Sequence, residues 1–262
     1  MKQKRILITG AGSGFGREAA LQLAARNHHV IAAVYVAPQI TELKDEAERR
    51  GVTLQIEKLD VTSAHDCERA ARWNVDVLVN NAGAAEAGEI SEIPMALVRQ
   101  LFDVNVFGPL ELTQRVVPGM IARGRGRIVF VSSVAGLITA KYAGPYCATK
   151  HALEAVAEAM YEELADSGIE VAVINPGPYQ TGFNDRMMET PRRWYDAALH
   201  RTSPDNMQFP FEQADPADLV ARMVDVAEGD GGAFRHLLPA KFEAIVKEFQ
   251  AGAWTRTQRK QV

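Results

Sequence analysis

Between residues 5 and 177, short runs of β-branched and aliphatic residues alternate with amphipathic stretches, and this rhythm limits the folds open to the chain. RILIT (5–9), HVIAAVYV (29–36), TLQIEKLDV (53–61), VDVLVN (75–80), RIVFVSS (127–133) and IEVAVINPG (169–177) read as strands. The stretches 16–27, 38–51, 63–73, 95–122 and 146–166 read as helices. Pro38 opens one of them and Gly51 follows its end. Gly108-Pro109 bends or splits the stretch at 95–122. Strand–helix alternation of this kind predicts a parallel sheet with helices on both faces. The segments 128–131 and 171–174 are nearly all apolar, as expected of strands covered on both sides. After Gly177 the rhythm breaks, and residues 183–213 carry proline, charge, methionine and aromatics without one period. A long irregular insertion in a compact domain predicts a functional lid or a mobile segment. A helix (216–228), a strand (234–238) and a helix (240–251) follow. The expected class is α/β, a doubly wound parallel sheet in one domain over 1–262, with a substrate lid at 183–213.

Composition removes several kinds of partner. The chain has 262 residues, 47% of them hydrophobic, and a formal net charge of −4. No basic block offers a nucleic-acid footprint. Lys2, Lys4 and Arg5 precede an apolar run that ends at Thr9-Gly10, too short for a signal-peptide core. No stretch approaches the ~20 apolar residues of a membrane span. A cytoplasmic location with no membrane partner is expected. Cys67 and Cys147 lie outside any CxxC pattern, so they read as reduced thiols, and no metal site is expected. The adjacent His28 and His29 read as a solvated turn.

The polar residues collect at strand ends, where open parallel sheets bind ligands. The first strand runs into TGAGSGFG, with glycines at 10, 14 and 16 before a helix. Such a turn brings backbone close to a phosphate and points the helix N–H groups at it. The pattern G-x-G-x-x-G fails here, because Phe15 stands where its third glycine belongs. Asp60 ends the third strand, NNAG (80–83) follows the fourth, and Ser132 and Ser133 follow the fifth. In YCATKHALEA (146–155), Tyr146 and Lys150 are four apart and share one helix face. A tyrosine of ordinary pKa ~10 is too weak an acid to ionise at neutral pH, and a nearby ammonium favours the phenolate. Pro145 places Tyr146 at a helix start, where the dipole acts in the same direction. Ser133 can hydrogen-bond an oxygen that exchanges a proton with Tyr146. Ser132 should point to the opposite side of the strand.

With TGAGSGFG, Asp60, NNAG, Asn105, Ser133, Tyr146, Lys150 and PGPYQT (176–181) in this order, residues 4 to about 182 resemble the short-chain dehydrogenase/reductase family. The resemblance implies a Rossmann-like fold, a nicotinamide dinucleotide and hydride transfer between an alcohol and a carbonyl. It implies Tyr146 as general acid/base with Lys150 beside it. Ser133 then steadies the substrate oxygen, and Asn105 holds a water in a proton relay to Lys150. It places the cofactor against Gly10, Ser13, Gly14, Phe15, Gly16, Tyr35, Asp60, Val61, Asn81, Ala82, Gly83, Tyr146, Lys150, Pro176, Gly177 and Thr181. Of these, Asp60 would contact the adenine and Thr181 the carboxamide. A homodimer or homotetramer built on the helices at 95–122 and 146–166 is also implied.

The second strand should declare the cofactor, since an acid at its tip favours NAD and a nearby arginine favours NADP. The tip reads AAVYVAPQ, with Val34 aligned to the family's acid and Tyr35 next. With neither acid nor base there, the expectation leans to NADP over NAD, and Tyr35 packs on the adenine. Phe183, Met187, Met188, Trp194, Tyr195, Phe209 and Phe211 in the lid either suit a bulky apolar carbonyl or alcohol or simply pack the lid on the body. A silent dinucleotide-binding sensor of the same fold is the alternative function.

Overall fold

The structure, a computed structural model, describes residues 2–229 and 232–257. Seven parallel strands form one sheet: β1 (Arg5–Ile8), β2 (His29–Val34), β3 (Gln55–Lys58), β4 (Val77–Asn80), β5 (Gly126–Val131), β6 (Ile169–Pro176) and β7 (Arg235–Leu238). Their order is β3-β2-β1-β4-β5-β6-β7, so the direction of winding reverses between β1 and β4. The ends of strands at such a reversal leave a crevice.

Successive residues of a strand face opposite sides, and the sheet interior shows this directly. Ile6 and Ile8 of β1 join one core with α1 (Gly14–Ala25) and a helix at Ala217–Glu228. Leu7 joins the other, against residues of the helices at Gly108–Arg123 and Gly144–Glu163. Both faces are apolar and covered, which is why the strands carry so little polar patterning.

The remaining helices are α2 (Pro38–Arg49), α3 (Ala64–Ala71), α4 (Met95–Phe102), α5 (Gly108–Arg123), α6 (Gly144–Glu163), α7 (Phe183–Glu189), α8 (Ala217–Glu228) and α9 (Phe242–Ala253). The long stretch at 95–122 is split. A π turn at Asp103–Phe107 separates α4 from α5. Pro109 has no N–H to give the carbonyl of Asn105 four residues earlier, so the α-helical ladder cannot run through. Among the described residues no helix is long and apolar enough to cross a membrane.

Two sequence expectations fail in the body of the fold. His28 is buried, not solvated: its Nε2 lies 2.9 Å from Glu228 Oε1, and its Nδ1 accepts the Lys4 N–H at 3.2 Å. His29 is the exposed member of the pair. Val34 is also fully buried in the core shared with α1. The strand ends there, two residues before the predicted end, and the chain turns so that Tyr35 is the residue at the tip.

The segment 183–213 is more ordered than its composition suggests. It holds α7, and short turns at Thr190–Arg193 and Pro204–Asn206. It is tied to the loop after β4 by Arg193–Glu86 at 2.8 Å, by the Ala87 N–H donating to Thr190 Oγ1 at 3.0 Å, and by Arg201 and Thr202 on Glu89.

Candidate active site

A cleft of about 450 Å³ opens over the strand ends at the β1/β4 reversal. The turn before α1 forms one wall. Gly10 and Gly14 have φ +65° and +54°, a region few side-chain-bearing residues adopt. A Cβ at Gly10 would also stand 2.8 Å from Ala82 Cα, so this turn and the NNAG loop need the missing side chain to approach. Thr9 holds them together: its Oγ1 accepts the N–H groups of Asn81 and Ala82 at 3.0 and 2.9 Å. Asn81 Nδ2 returns a bond to the Thr9 carbonyl at 2.8 Å.

The start of α1 faces the cleft uncapped. Ser13 precedes the helix without capping it, and no acid occupies the first turn. Helix N–H groups left free in this way, beside glycines, suit a pyrophosphate. The other end of the cleft is lined by Tyr35, Gln39, Asp60, Val61 and Thr62. Asp60 Oδ1 is engaged by the Thr62 N–H and hydroxyl at 2.9 and 2.7 Å. Gln39 Oε1 accepts from the Tyr35 and Val36 N–H groups at 3.2 and 3.3 Å, which fixes the strand tip. The residues present therefore fit a dinucleotide along the whole cleft.

Of the residues expected to touch a cofactor, Gly10, Ser13, Gly14, Phe15, Tyr35, Asp60, Val61, Asn81, Ala82, Gly83, Tyr146, Lys150, Pro176, Gly177 and Thr181 line the cleft. Gly16 does not. It faces away, where a Cβ would meet Asn81 Nδ2 at 2.4 Å and the Gly10 carbonyl at 2.8 Å, so its role is close packing of helix on turn. Phe183, expected in the lid, reaches the cleft too, and Gly12, Gln39, Thr62, Asn184 and Arg186 line it without having been singled out. Gly12 lay inside the quoted glycine motif and was legible there; the others had no local signal.

The polar floor is built by the end of β5 and the start of α6. Tyr146 is in the first turn of α6 and Lys150 one turn later, both buried. The Lys150 ammonium stands 5.7 Å from the Tyr146 ring centre and donates to the Val131 carbonyl at 3.0 Å. Burial pushes the Tyr146 phenol well above the ordinary tyrosine range, partly offset by hydrogen bonding with Ser133. Burial also lowers the Lys150 ammonium to about 8, with the Glu154 charge acting in the opposite direction. Ser133 Oγ donates to the Pro176 carbonyl at 3.3 Å and accepts from the Ala135 N–H at 3.1 Å. Ser132 Oγ is buried beside Gly136, under the turn at Val134–Gly136.

Asn105 sits in the π turn behind this floor, and its side chain is fully used. Nδ2 donates to the Ala84 carbonyl and Thr149 Oγ1 at 2.9 and 3.0 Å, and Oδ1 accepts the Ala84 N–H at 2.8 Å. The position of a Cβ on Gly83 is 3.4 Å from Asn105 Oδ1 and 3.8 Å from Lys150 Nζ, so these three residues meet.

A second, smaller cavity of about 60 Å³ shares Ser133 and Tyr146 with the cleft. Its other walls include Ile138, Met187, Met188, Phe209 and Phe211. Phe183 packs on Tyr146 with ring centres 5.8 Å apart. Trp194 and Tyr195 do not join it; they pack against His200 further along the lid, Trp194 edge-on.

Comparison with known proteins decides the family. The profile described as "short chain dehydrogenase" matches residues 4–192. The chain belongs to the short-chain dehydrogenase/reductase family. It is similar to the oxidoreductase YbbO of Escherichia coli K12, 40% identical over 195 residues that make up 72% of this chain and 70% of that one. It is 35% identical to human retinol dehydrogenase 8 over 192 residues, covering 71% of this chain and 62% of that one. Among solved structures, a short-chain dehydrogenase from Streptomyces avermitilis superimposes with a TM-score of 0.81 at 27% identity, covering 97% of this chain and 94% of that one. A variant of actinorhodin polyketide ketoreductase with NADPH gives 0.75 at 27% identity, over 90% and 95%. This short-chain dehydrogenase/reductase therefore has the fold of an NAD(P)-dependent oxidoreductase.

Proposed function

We propose that the chain interconverts an alcohol and a ketone or aldehyde at the expense of a nicotinamide dinucleotide, with Tyr146 as the proton donor and acceptor. One observation carries this reading: Ser133 and Tyr146 form a wall common to the dinucleotide cleft and to the apolar cavity. A carbonyl lodged in the cavity would present its oxygen to both hydroxyl groups. A nicotinamide, when bound, supplies or takes the hydride. Everything else falls to the chain. Tyr146, held protonated by burial, delivers a proton to the carbonyl oxygen as negative charge grows there. Ser133, its hydroxyl turned from the Pro176 carbonyl, donates to the same oxygen and orients it. The Lys150 cation lowers the cost of leaving a phenolate behind. Asn105 has its side chain committed to Ala84 and Thr149, and Pro109, four residues on, has no N–H for the Asn105 main-chain carbonyl, which is the group assigned to a relay water on the family resemblance. Tyr146 and Lys150 meet in one cleft, which weighs against a silent sensor.

Thr181 and Asp60 are assigned to the carboxamide and adenine ends on the family resemblance, supported by their places along the cleft. NADP is preferred over NAD, because the exposed tip at Tyr35 offers no carboxylate to repel a ribose phosphate. The ketoreductase that resembles this chain was solved with NADPH, which supports the same choice. The substrate class is an apolar, bulky carbonyl or alcohol, held by Met187, Met188, Phe209 and Phe211 under a lid at 183–213. The name of the human relative, a retinol dehydrogenase, agrees with that class.

The test is cofactor consumption against a panel of carbonyls with NADH and NADPH. Tyr146→Phe retains the ring against Phe183 and removes the hydroxyl. Turnover should fall by at least ~10²-fold with dinucleotide affinity unchanged. Near-normal turnover in that variant would overturn the assignment.

A further inference from the structure

Lys150 is a buried cation with little visible support. Among the described residues it forms no direct ion pair, and its ammonium donates to a neutral carbonyl, that of Val131 at 3.0 Å. Asp103 lines the same cleft without pairing with it. Glu154, one helical turn further along α6, is also buried. Helical side chains lean toward the N-terminus, so the Glu154 side chain leans back over the turn that carries Lys150. The two residues press on one spot: a Cβ at Gly136 would lie 3.0 Å from both Glu154 Cγ and the Lys150 carbonyl.

Glu154 is held from the far side by residues of other strands. Asn175 of β6, fully buried, donates through Nδ2 to Glu154 Oε1 at 2.6 Å and to the Ser133 carbonyl at 3.1 Å. Arg235 of β7 pairs with Glu154 and donates to Asn175 Oδ1 at 3.1 Å. A continuous polar chain thus runs from the backbone of Ser133 through Asn175 to Glu154 and out to Arg235. A buried carboxylate costs too much to keep for packing alone unless its charge is compensated. Arg235 is half-exposed and supplies part of that compensation.

We propose that Glu154 is a positioning residue for the reaction: its buried charge sustains the Lys150 cation, and through Asn175 it ties Ser133 to the helix that carries Tyr146 and Lys150. Arg235 then sets how strongly that charge is felt. The proposal rests on the reading of Tyr146 and Lys150 given above. The groups around Lys150 are Tyr146 and Glu154 from its own helix, Asn105 from the π turn, and Asp103 of the same turn across the cleft. Of the two carboxylates, Glu154 is the buried one.

The test uses the full chain with 13C-labelled lysine side chains, and Lys150 assigned by its loss in Lys150→Met. NMR titration then reads its midpoint without any need for turnover. From a wild-type midpoint near 8, Glu154→Gln should lower it by about half a pH unit or more, roughly threefold in proton affinity. Arg235→Gln removes the opposing cation and should raise it. A purely structural role would lower activity without moving the midpoint. Unchanged midpoints in both variants, or shifts in the same direction, would overturn the proposal. Should Glu154→Gln not fold, Arg235→Gln decides alone: a rise supports the proposal, while no change or a fall sinks it. Failure of wild-type protein to turn over any carbonyl would count against the proposed function and leave this titration readable.

Discussion

The strand tip gives the most direct test of cofactor choice. Tyr35 is 61% exposed and lines the cleft beside Gln39. Gln39 holds the local backbone through its bonds to the Tyr35 and Val36 N–H groups, so a change of the Tyr35 side chain leaves the tip in place. Tyr35→Asp puts a carboxylate where it can accept ribose hydroxyls and repel a ribose phosphate. Two unit charges ~4 Å apart at an effective dielectric of ~20 interact by about 4 kcal/mol. A side chain this exposed loses most of that to water and salt. Retaining about a third leaves roughly 1.4 kcal/mol, or tenfold in relative affinity. The ratio of kcat/KM for NADH to that for NADPH should therefore rise about tenfold in Tyr35→Asp. In Tyr35→Arg, where a guanidinium can grip the phosphate, it should fall by a similar factor. The assay is initial-rate kinetics with both cofactors at low ionic strength, repeated at high salt, where both effects should shrink. Ratios that stay at the wild-type value in both variants would place the ribose elsewhere. The same substitution at Val34 tests something different, since an unpaired carboxylate in that buried position should destabilise the fold instead of changing preference.

Other outcomes follow from the same geometry. Gly14→Val imposes a branched side chain on a backbone at φ +54° beside the open end of α1, and dinucleotide binding followed by fluorescence titration should be lost. Carbonyl reduction should decline as pH rises through about 8, because Lys150 gives up its proton there while burial keeps Tyr146 protonated to higher pH; the pH profile of kcat/KM reads this. A dimer or tetramer is expected by light scattering at micromolar concentration, since Phe107, Ile121 and Tyr161 on the π turn, α5 and α6 are 56%, 47% and 45% exposed.

What could be read in the sequence was what local geometry determines. Tyr146 and Lys150 share a face because a helix repeats every 3.6 residues, and the polar loops gather because parallel strands all end on one side. The glycine turn was visible for the same reason, although matching it to fixed spacings passed over Gly12. The phase of β2 was not determined in this way. Side chains alternate every residue, so aligning the family's acid with Val34 instead of Tyr35, an offset of one, put a core-facing residue at the tip. The lid's docking was hidden too, because Arg193, Arg201 and Thr202 find their carboxylates more than a hundred residues away in sequence. His28 looked solvated for want of its partner, Glu228, which is 200 residues distant.

Glu154 shows where this division falls within the site itself. By sequence it is the next polar residue on a helix face already occupied by Tyr146 and Lys150, and nothing nearby distinguishes it from a solvated glutamate. Its burial comes from Asn175 and Arg235, on strands that reach it only once the sheet has formed. The groups proposed to move the proton are thus placed by secondary structure. The groups that decide how readily a buried lysine remains charged are placed by tertiary structure, since the local dielectric and the neighbouring charges exist only in the folded chain. Variants at Asn175 and Arg235 should accordingly change the ionisation of Lys150 while leaving the helix that presents it intact, a separation that circular dichroism and the lysine titration can measure side by side.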